Sequence, residues 1–196
     1  MKKICLLLPN GFEAVEASVF TDVFGWSKDV ADGSTELITV GTREELTCTW
    51  NFTVKPEKLL SEVTAEEFDA LALPGGFEKA GFYEDAYRPE VLGFIQEFEK
   101  QGKIIAAICV GALVLGKSGV LHGRYATTYN LGTGKRQSQL AEMGVNVMKD
   151  QPIVIDQNII TSYNPSTSFG VAFALLEQLT TKEHADHVKR LMGFHE

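Results

Sequence analysis

Histidine, cysteine, basic charge and long apolar runs are all scarce in this chain, and each scarcity excludes something. The four histidines are His122, His184, His187 and His195, three of them crowded into the C-terminal tail, and none follows a strand directly. A Cys–His–acid triad is therefore not evident, and His184 and His187 share a helix face without further metal ligands nearby. The three cysteines, Cys5, Cys48 and Cys109, are an odd number without metal-ligand spacing. That speaks against a disulfide framework and for a reduced, cytoplasmic protein. Lys and Arg number 18 against 26 Asp and Glu, a net charge of −8. No nucleic acid and no anionic membrane is expected as a partner. No apolar run approaches the ~20 residues needed to cross a bilayer. Met1-Lys2-Lys3 before Ile4–Leu8 resembles a signal peptide, but the run stops at Pro9-Asn10-Gly11, with Glu13 and Glu16 beyond. A buried opening strand is the better reading.

What is present is a globular composition, 44 % hydrophobic and 22 % charged over 196 residues. At about 150 residues per domain, residues 1–196 are expected to form a single domain. Strands are predicted at Lys3–Leu8, Thr35–Val40, Asp69–Leu73 and Lys103–Ile108, with a strand pair inside Leu46–Val54 and a short strand at Ala126–Thr128. Pro152–Ile155 and Asn158–Ser162 read as a hairpin around Asp156-Gln157. Helical periodicity marks Phe12 to about Lys28, with Val15, Val19, Val23 and Trp26 on one stripe and Phe20 and Phe24 beside it. Further helices are predicted at Pro89–Lys100, Val110–Lys117, Gln137–Met143, Thr167–Leu179 and Lys182–Met192, and a helical connection at Glu57–Phe68. Alternating strands and helices imply an α/β sandwich with a mainly parallel sheet. Ligands bind such sheets at the carboxyl ends of strands, where the strand order reverses.

Three constellations lie at those ends. In Ala106-Ala107-Ile108-Cys109-Val110-Gly111 a buried strand runs through one cysteine into a helix, the layout of a nucleophile elbow. A thiol there meets the positive end of the helix and free N–H groups, which predicts a lowered pKa. Glu16 falls inside the apolar arc of its helix, where a carboxylate is costly unless paired or protonated. Glu13 sits in the first helical turn, where simple helix-end electrostatics accounts for it. Pro74-Gly75-Gly76 closes a strand with two glycines, so that backbone N–H groups from Gly76 and Val110 could hold an oxyanion. Gly111–Ser118 also matches the Walker A spacing, with Ile153–Asp156 as a nominal Walker B strand. A P-loop NTPase is the remote alternative, because Ala112–Leu115 is an apolar helical run and a phosphate loop is not helical.

These marks, with Thr127-Thr128 and Pro165-Ser166-Thr167-Ser168-Phe169, make the chain similar to the ThiJ/PfpI superfamily, most of all to its deglycase-like branch. The resemblance covers nearly the whole chain. It implies a flavodoxin-like three-layer sandwich of the class I glutamine amidotransferase type, usually a homodimer, with no cofactor and no metal. It implies that Cys109 is the nucleophile, Glu16 the buried acid beside it, and Gly76 and Val110 the oxyanion donors. Gly75, Tyr129, Asn130, Asn164 and Thr167 are the further pocket candidates. The activities it implies are glutathione-independent glyoxalase, deglycation, peptidase or amidase action, and sensing of oxidative stress. The partner would be a small carbonyl substrate or an oxidant. The chain departs from the branch at Tyr129, where a histidine is usual, at Tyr163-Asn164 for arginine-glycine, and at Trp50 for arginine; Val110 stands where the PfpI branch has histidine. A protease is therefore not expected.

Overall fold

Strands that are apolar without alternation must be covered on both faces. The computed structural model describes residues 1–194. In chain order its elements are β1 (Lys2–Leu8), α1 (Ala14–Trp26), β2 (Thr35–Gly41), β3 (Leu46–Thr47), β4 (Thr53–Val54), β5 (Lys58–Leu59) and β6 (Ala70–Leu73). They continue as α2 (Phe82–Ala86), α3 (Pro89–Lys100), β7 (Ile104–Ala107), α4 (Gly111–Ser118), β8 (Tyr125–Ala126) and α5 (Lys135–Glu142). The last are β9 (Asn146–Val147), β10 (Ile153–Asp156), β11 (Ile159–Ser162), α6 (Ser168–Leu179) and α7 (Lys182–Leu191). The main sheet has the order β10-β11-β7-β6-β1-β2-β5, parallel except for β10, which pairs antiparallel with β11. α1, α6 and α7 pack together over one face, and α3, α4 and α5 over the other. This is the expected flavodoxin-like α/β sandwich.

From β1 the chain moves one way to β2 and β5, then returns to the other side for β6, β7 and β11. The order reverses between β1 and β6, so the loops leaving β1, β6 and β7 converge at one end of the sheet. β6 and β11 are buried throughout, and β1 from Ile4 to Leu8.

Several local expectations are corrected. Glu57–Phe68 is not helical: β5 pairs with the end of β2, and two single 3-10 turns follow. This stretch offers no continuous apolar stripe to bury, and Glu62 and Glu67 instead accept the N–H groups of Leu59 and Thr64 (2.9 and 2.7 Å). The strand expected at Ala126–Thr128 is β8, one residue earlier, and it pairs with β9, which the sequence reading missed together with α2. On α1, Val15 and Trp26 are 46 % and 37 % exposed, and the buried arc runs through Glu16, Phe20 and Val23 to Ser27. Gly111–Ser118 is a regular helix, which removes the phosphate-loop reading. His195 lies outside the described residues.

The loops at the reversal point are tied to the rest by Asp85 on α2, a buried carboxylate. It accepts from Asn10 N–H (2.6 Å) and Arg43 (2.6 Å), from the Thr42 hydroxyl, and from Arg88 at 3.3 Å. Burial pushes its pKa up, but the bonds from Thr42, Asn10 and Arg43 outweigh it and the net shift is downward. A depressed carboxylate stabilises the fold above its unfolded value of about 3.9, and that contribution is lost as pH falls through the folded value. Asp85→Ala is expected to cost about 3–5 kcal/mol near neutral pH, because it strands the groups that bond to it. Urea midpoints should show the gap to wild type narrowing in acid; a gap constant with pH would contradict this account.

Candidate active site

β7 ends at Ala107, and two residues later Cys109 takes φ 55, one of three non-glycine residues with positive φ among those described. An L-residue in that region carries a cost of about 1–2 kcal/mol. The strain is held by the surroundings: Cys109 N–H donates to Ser162 O (3.1 Å), and the Thr128 hydroxyl donates to Cys109 O (2.8 Å). α4 begins at Gly111, so the thiol stands at a helix N-terminus on a sharp turn, 6 % exposed. The role of Thr128 explains one mark of the resemblance: it braces the elbow.

Glu16 reaches the same point from α1. It is fully buried, and its Oε2 accepts the Gly75 N–H at 2.6 Å. Oε1 is buried with no hydrogen-bond partner of regular geometry, and the polar group interacting with the carboxyl from the elbow is the Cys109 thiol. Burial, with the charge of Glu13, raises Glu16 to about 8, against the pull of the Gly75 and Cys109 bonds. Burial also pushes the Cys109 thiol up, and an ionised Glu16 pushes it further, while the Val110 N–H pulls it down. The lowered thiol pKa expected from the helix end is thus corrected: burial outweighs the helix. The pair tolerates one negative charge, and with the proton on Glu16 the sulfur anion loses its main repulsion.

Gly75 and Gly76 are glycines for steric reasons. A Cβ on Gly75 would lie 2.9 Å from Glu16 Oε2 and 3.0 Å from Val110 N; one on Gly76 would lie 2.3 Å from Gly11 O. The Gly75 N–H is spent on Glu16. Those of Gly76 and Val110 are bonded to no protein oxygen among the described residues. The Gly76 N–H thus has no partner among the described residues and the Val110 N–H is turned to the Cys109 sulfur, which leaves both available to an oxygen developing charge beside that sulfur.

The thiol opens into a cleft of about 1170 Å³ whose walls include Glu13, Cys48, Trp50, Gly76, Phe77, Val110, Tyr129, Arg136 and Asn164. Of the sequence candidates, Cys109, Gly76, Val110, Tyr129 and Asn164 line it, and Glu16 lies beneath the sulfur. Gly75, Asn130 and Thr167 are not among the lining residues. Asn130 accepts from the Asn164 amide (3.1 Å) and the Thr167 hydroxyl donates to Asn164 O (2.7 Å), so both position Asn164. No histidine among the described residues lines the cleft. Nor do the described residues hold a group of three His, Cys, Asp or Glu side chains placed to bind a metal.

The sequence reading does not place Glu13, Trp50 or Arg136 in the site: it assigns Glu13 to helix-end electrostatics, notes Trp50 only as a departure from the branch the chain resembles, and passes over Arg136. Glu13 is the N-cap of α1 but makes no capping bond with its side chain. Its carboxyl faces the cleft, raised by burial and partly offset by a hydrogen bond from the Trp50 indole N–H. Helix-end electrostatics does not explain it. Arg136 on α5 pairs with Glu78 (3.1 Å) and lies over the Tyr83 ring at 5.1 Å. No local pattern marks either contact, because each depends on loops distant in sequence.

An elbow cysteine, a buried acid beneath it and two N–H groups bonded to no protein oxygen among the described residues, at the carboxyl edge of a parallel sheet, define a cysteine-centred α/β site. The chain belongs to the DJ-1/PfpI family, whose model matches residues 2–178. It is 28 % identical over 193 residues to Protein dj-1beta of Drosophila melanogaster, covering 96 % of this chain and 95 % of that one. The crystal structure of Drosophila DJ-1beta superposes with a TM-score of 0.87 at 27 % identity, over 100 % of this chain and 99 % of the other. Glutathione-independent glyoxalase DJR-1.2 of Caenorhabditis elegans is 28 % identical over 180 residues, 92 % of this chain and 89 % of that one. Deglycase PH1704 of Pyrococcus horikoshii is 30 % identical over 166 residues, 84 % and 91 % respectively.

Two outcomes are expected. Glu16 is raised on folding from about 4.3 to about 8. Its protonation therefore favours the native state fully below the unfolded value, and that contribution is lost as pH rises through the folded one. Glu16→Gln should lose less stability than wild type between about pH 5 and pH 9 in urea titrations. Parallel losses would show that Glu16 is not the titrating group. At Cys109, glycine accepts the positive φ that alanine does not. Cys109→Gly is expected to be about 0.5–1 kcal/mol more stable than Cys109→Ala, after allowing for the looser unfolded chain of the glycine variant.

Proposed function

We propose that the protein is a cofactor-independent cysteine enzyme acting on small carbonyl compounds, glyoxalase- or deglycase-like. The observation that carries this reading is the strained Cys109 held beside a buried Glu16 that keeps its proton up to about pH 8, in a cleft lined by Gly76 and Val110, whose N–H groups are bonded to no protein oxygen among the described residues. The names of the nematode glyoxalase and the archaeal deglycase support it.

For a 2-oxoaldehyde the steps follow from the groups present. The Cys109 sulfur bonds to the aldehyde carbon, and the carbonyl π pair moves onto oxygen, which takes hydrogen bonds from Gly76 and Val110 and a proton from Glu16. The ionised Glu16 then removes the proton from that carbon and returns it to the neighbouring one, while the hydroxyl proton of the first oxygen passes to the oxygen on the second carbon, leaving a thioester of the 2-hydroxy acid. Water cleaves the thioester and restores the thiol. No outside oxidant or reductant is needed, because one carbon is oxidised as its neighbour is reduced. Glu16 does the proton transfer that a histidine would otherwise share.

A second reading has its own observation. The buried Oε1 of Glu16 beside the sulfur would donate to an oxidised Cys109 once protonated. Peroxide would then convert the thiolate stepwise to sulfinate, each oxygen transfer releasing water, and the protein would report oxidation without turnover. Under either reading the protein is taken as a cytoplasmic homodimer, to which the exposed stripe of Val15 and Trp26 on α1 is available. No helix among the described residues is long and apolar enough to cross a membrane.

The test is hydroxy-acid formation from 2-oxoaldehydes. Cys109→Ser should abolish it, and Glu16→Gln should lower kcat by about 10²–10⁴ as a lost proton carrier. Full turnover by Cys109→Ser would overturn the proposal. Selective gain of two oxygens at Cys109 under mild peroxide, with no turnover, would favour the sensor.

A further inference from the structure

The cleft is far larger than a three-carbon aldehyde, and its rim is aromatic. Trp50 and Phe77 are 67 % and 44 % exposed, with ring centroids 5.2 Å apart. Exposed aromatic rings contribute little to a core, so a fixed pair of them calls for another explanation. This pair is fixed. Trp50 sits in the loop between β3 and β4, closed by Cys48 N–H to Phe52 O (2.8 Å) and Phe52 N–H to the Cys48 sulfur (3.2 Å), with Asn51 at φ 62. Thr49 fastens the loop to the β1–α1 turn, its N–H donating to Phe12 O and its hydroxyl to Gly11 O, both at 2.8 Å. The indole N–H is turned to Glu13. Phe77 directly follows Gly76, and its ring packs against that of Trp50.

Cys109, Gly76, Phe77 and Trp50 line one cleft, so a carbonyl held with its carbon at the sulfur and its oxygen at the Gly76 N–H shares that cleft with the ring pair. The charges of the cleft do not select one sign of substituent: Arg136 is engaged by Glu78 and Tyr83, and Lys79 and Glu13 line the same walls. We propose that the site takes carbonyl compounds bearing a planar aromatic substituent, which packs against the Trp50–Phe77 wall while the carbonyl carbon meets Cys109. This rests on the carbonyl-enzyme reading and narrows it. For an aryl glyoxal the sulfur–carbon bond forms and breaks as above, and one water is taken up. The aldehyde carbon ends as a carboxylate and the ketone carbon as an alcohol, giving a 2-aryl-2-hydroxy acid.

The first measurement does not depend on turnover. Phenacyl chloride and chloroacetone differ only in phenyl against methyl; each forms a bond from sulfur to its methylene carbon and expels chloride, while the thiol proton goes to solvent. Their rates of alkylation at Cys109 are followed by peptide mass spectrometry and compared with free cysteine. The phenyl-to-methyl ratio at Cys109 should exceed that of free cysteine by about tenfold. Trp50→Ala and Phe77→Ala should each bring it down towards the free value, and Trp50→Phe should keep most of it. A ratio equal to that of free cysteine, or one that neither alanine variant moves, would overturn the inference. Turnover of phenylglyoxal and methylglyoxal is measured alongside. Preference for phenylglyoxal, reduced in the alanine variants, supports both readings. Aromatic selectivity in alkylation without turnover of either dicarbonyl leaves recognition standing and removes the enzymatic reading.

Discussion

The hydrogen bond from Gly75 N–H to Glu16 Oε2 holds a fully buried carboxyl under the Cys109 thiol, and the carboxyl end of the sheet is built around it. A buried charge is costly, and two adjacent buried acids cannot both ionise. The site therefore holds one anion that either group can carry, and the group that loses the proton decides whether the sulfur is a nucleophile. Three elements must meet for this to work: α1 supplies the acid, the β6 loop its N–H partner, and the β7 elbow the thiol. The reversal of strand order between β1 and β6 brings them together.

The same geometry explains why so much of the centre was legible in the sequence. Cys109, Glu16 and Gly76 are each marked by a local conflict with their surroundings, and Val110 follows from its place after the cysteine. A cysteine interrupts a strand-to-helix junction, an acid interrupts an apolar arc, and paired glycines end a buried strand. Each conflict costs stability locally, and the arc that runs through Phe20 and Val23 confirms the helical position of Glu16 although Val15 and Trp26 lie outside it. Glu13, Trp50 and Arg136 show no such conflict. An acid in a first helical turn, a tryptophan in a hairpin loop and an arginine on a polar helix are all ordinary locally. Their roles depend on Thr49 bonding across to Phe12 and on α5 meeting the Glu78 turn, contacts that no short window contains. The 3-10 turns after β5 failed to read for a related reason: their stability comes from side-chain caps and a sheet edge rather than from periodicity.

The thiol pKa is where local reasoning pointed the wrong way. A helix N-terminus favours a thiolate, but Cys109 is 6 % exposed, and burial of the charge works against it. Desolvation sets the direction and the helix end only moderates it. Reactivity must then come from the identity of the neighbour rather than from the helix. A carboxyl that remains protonated through neutral pH removes the repulsion that its ionised form would impose, and it can return a proton to whatever oxygen forms at the Gly76 and Val110 N–H groups.

Centre and rim answer to different constraints. The centre is crowded: a Cβ on Gly75 or Gly76 would collide with backbone or with Glu16, so its chemistry leaves little room for variation. The rim is open, and its side chains are held by ring contacts, an ion pair and loop hydrogen bonds at the surface. Trp50 couples the two, because its indole N–H faces the carboxyl of Glu13, the residue at the start of the helix that carries Glu16, and the charge of Glu13 is one cause of the raised Glu16 pKa. A ligand ring packed on Trp50 would exclude water around Glu13 and favour its neutral form. The electrostatic push on Glu16 would then fall. What occupies the rim can in this way set the proton balance at the sulfur without touching it.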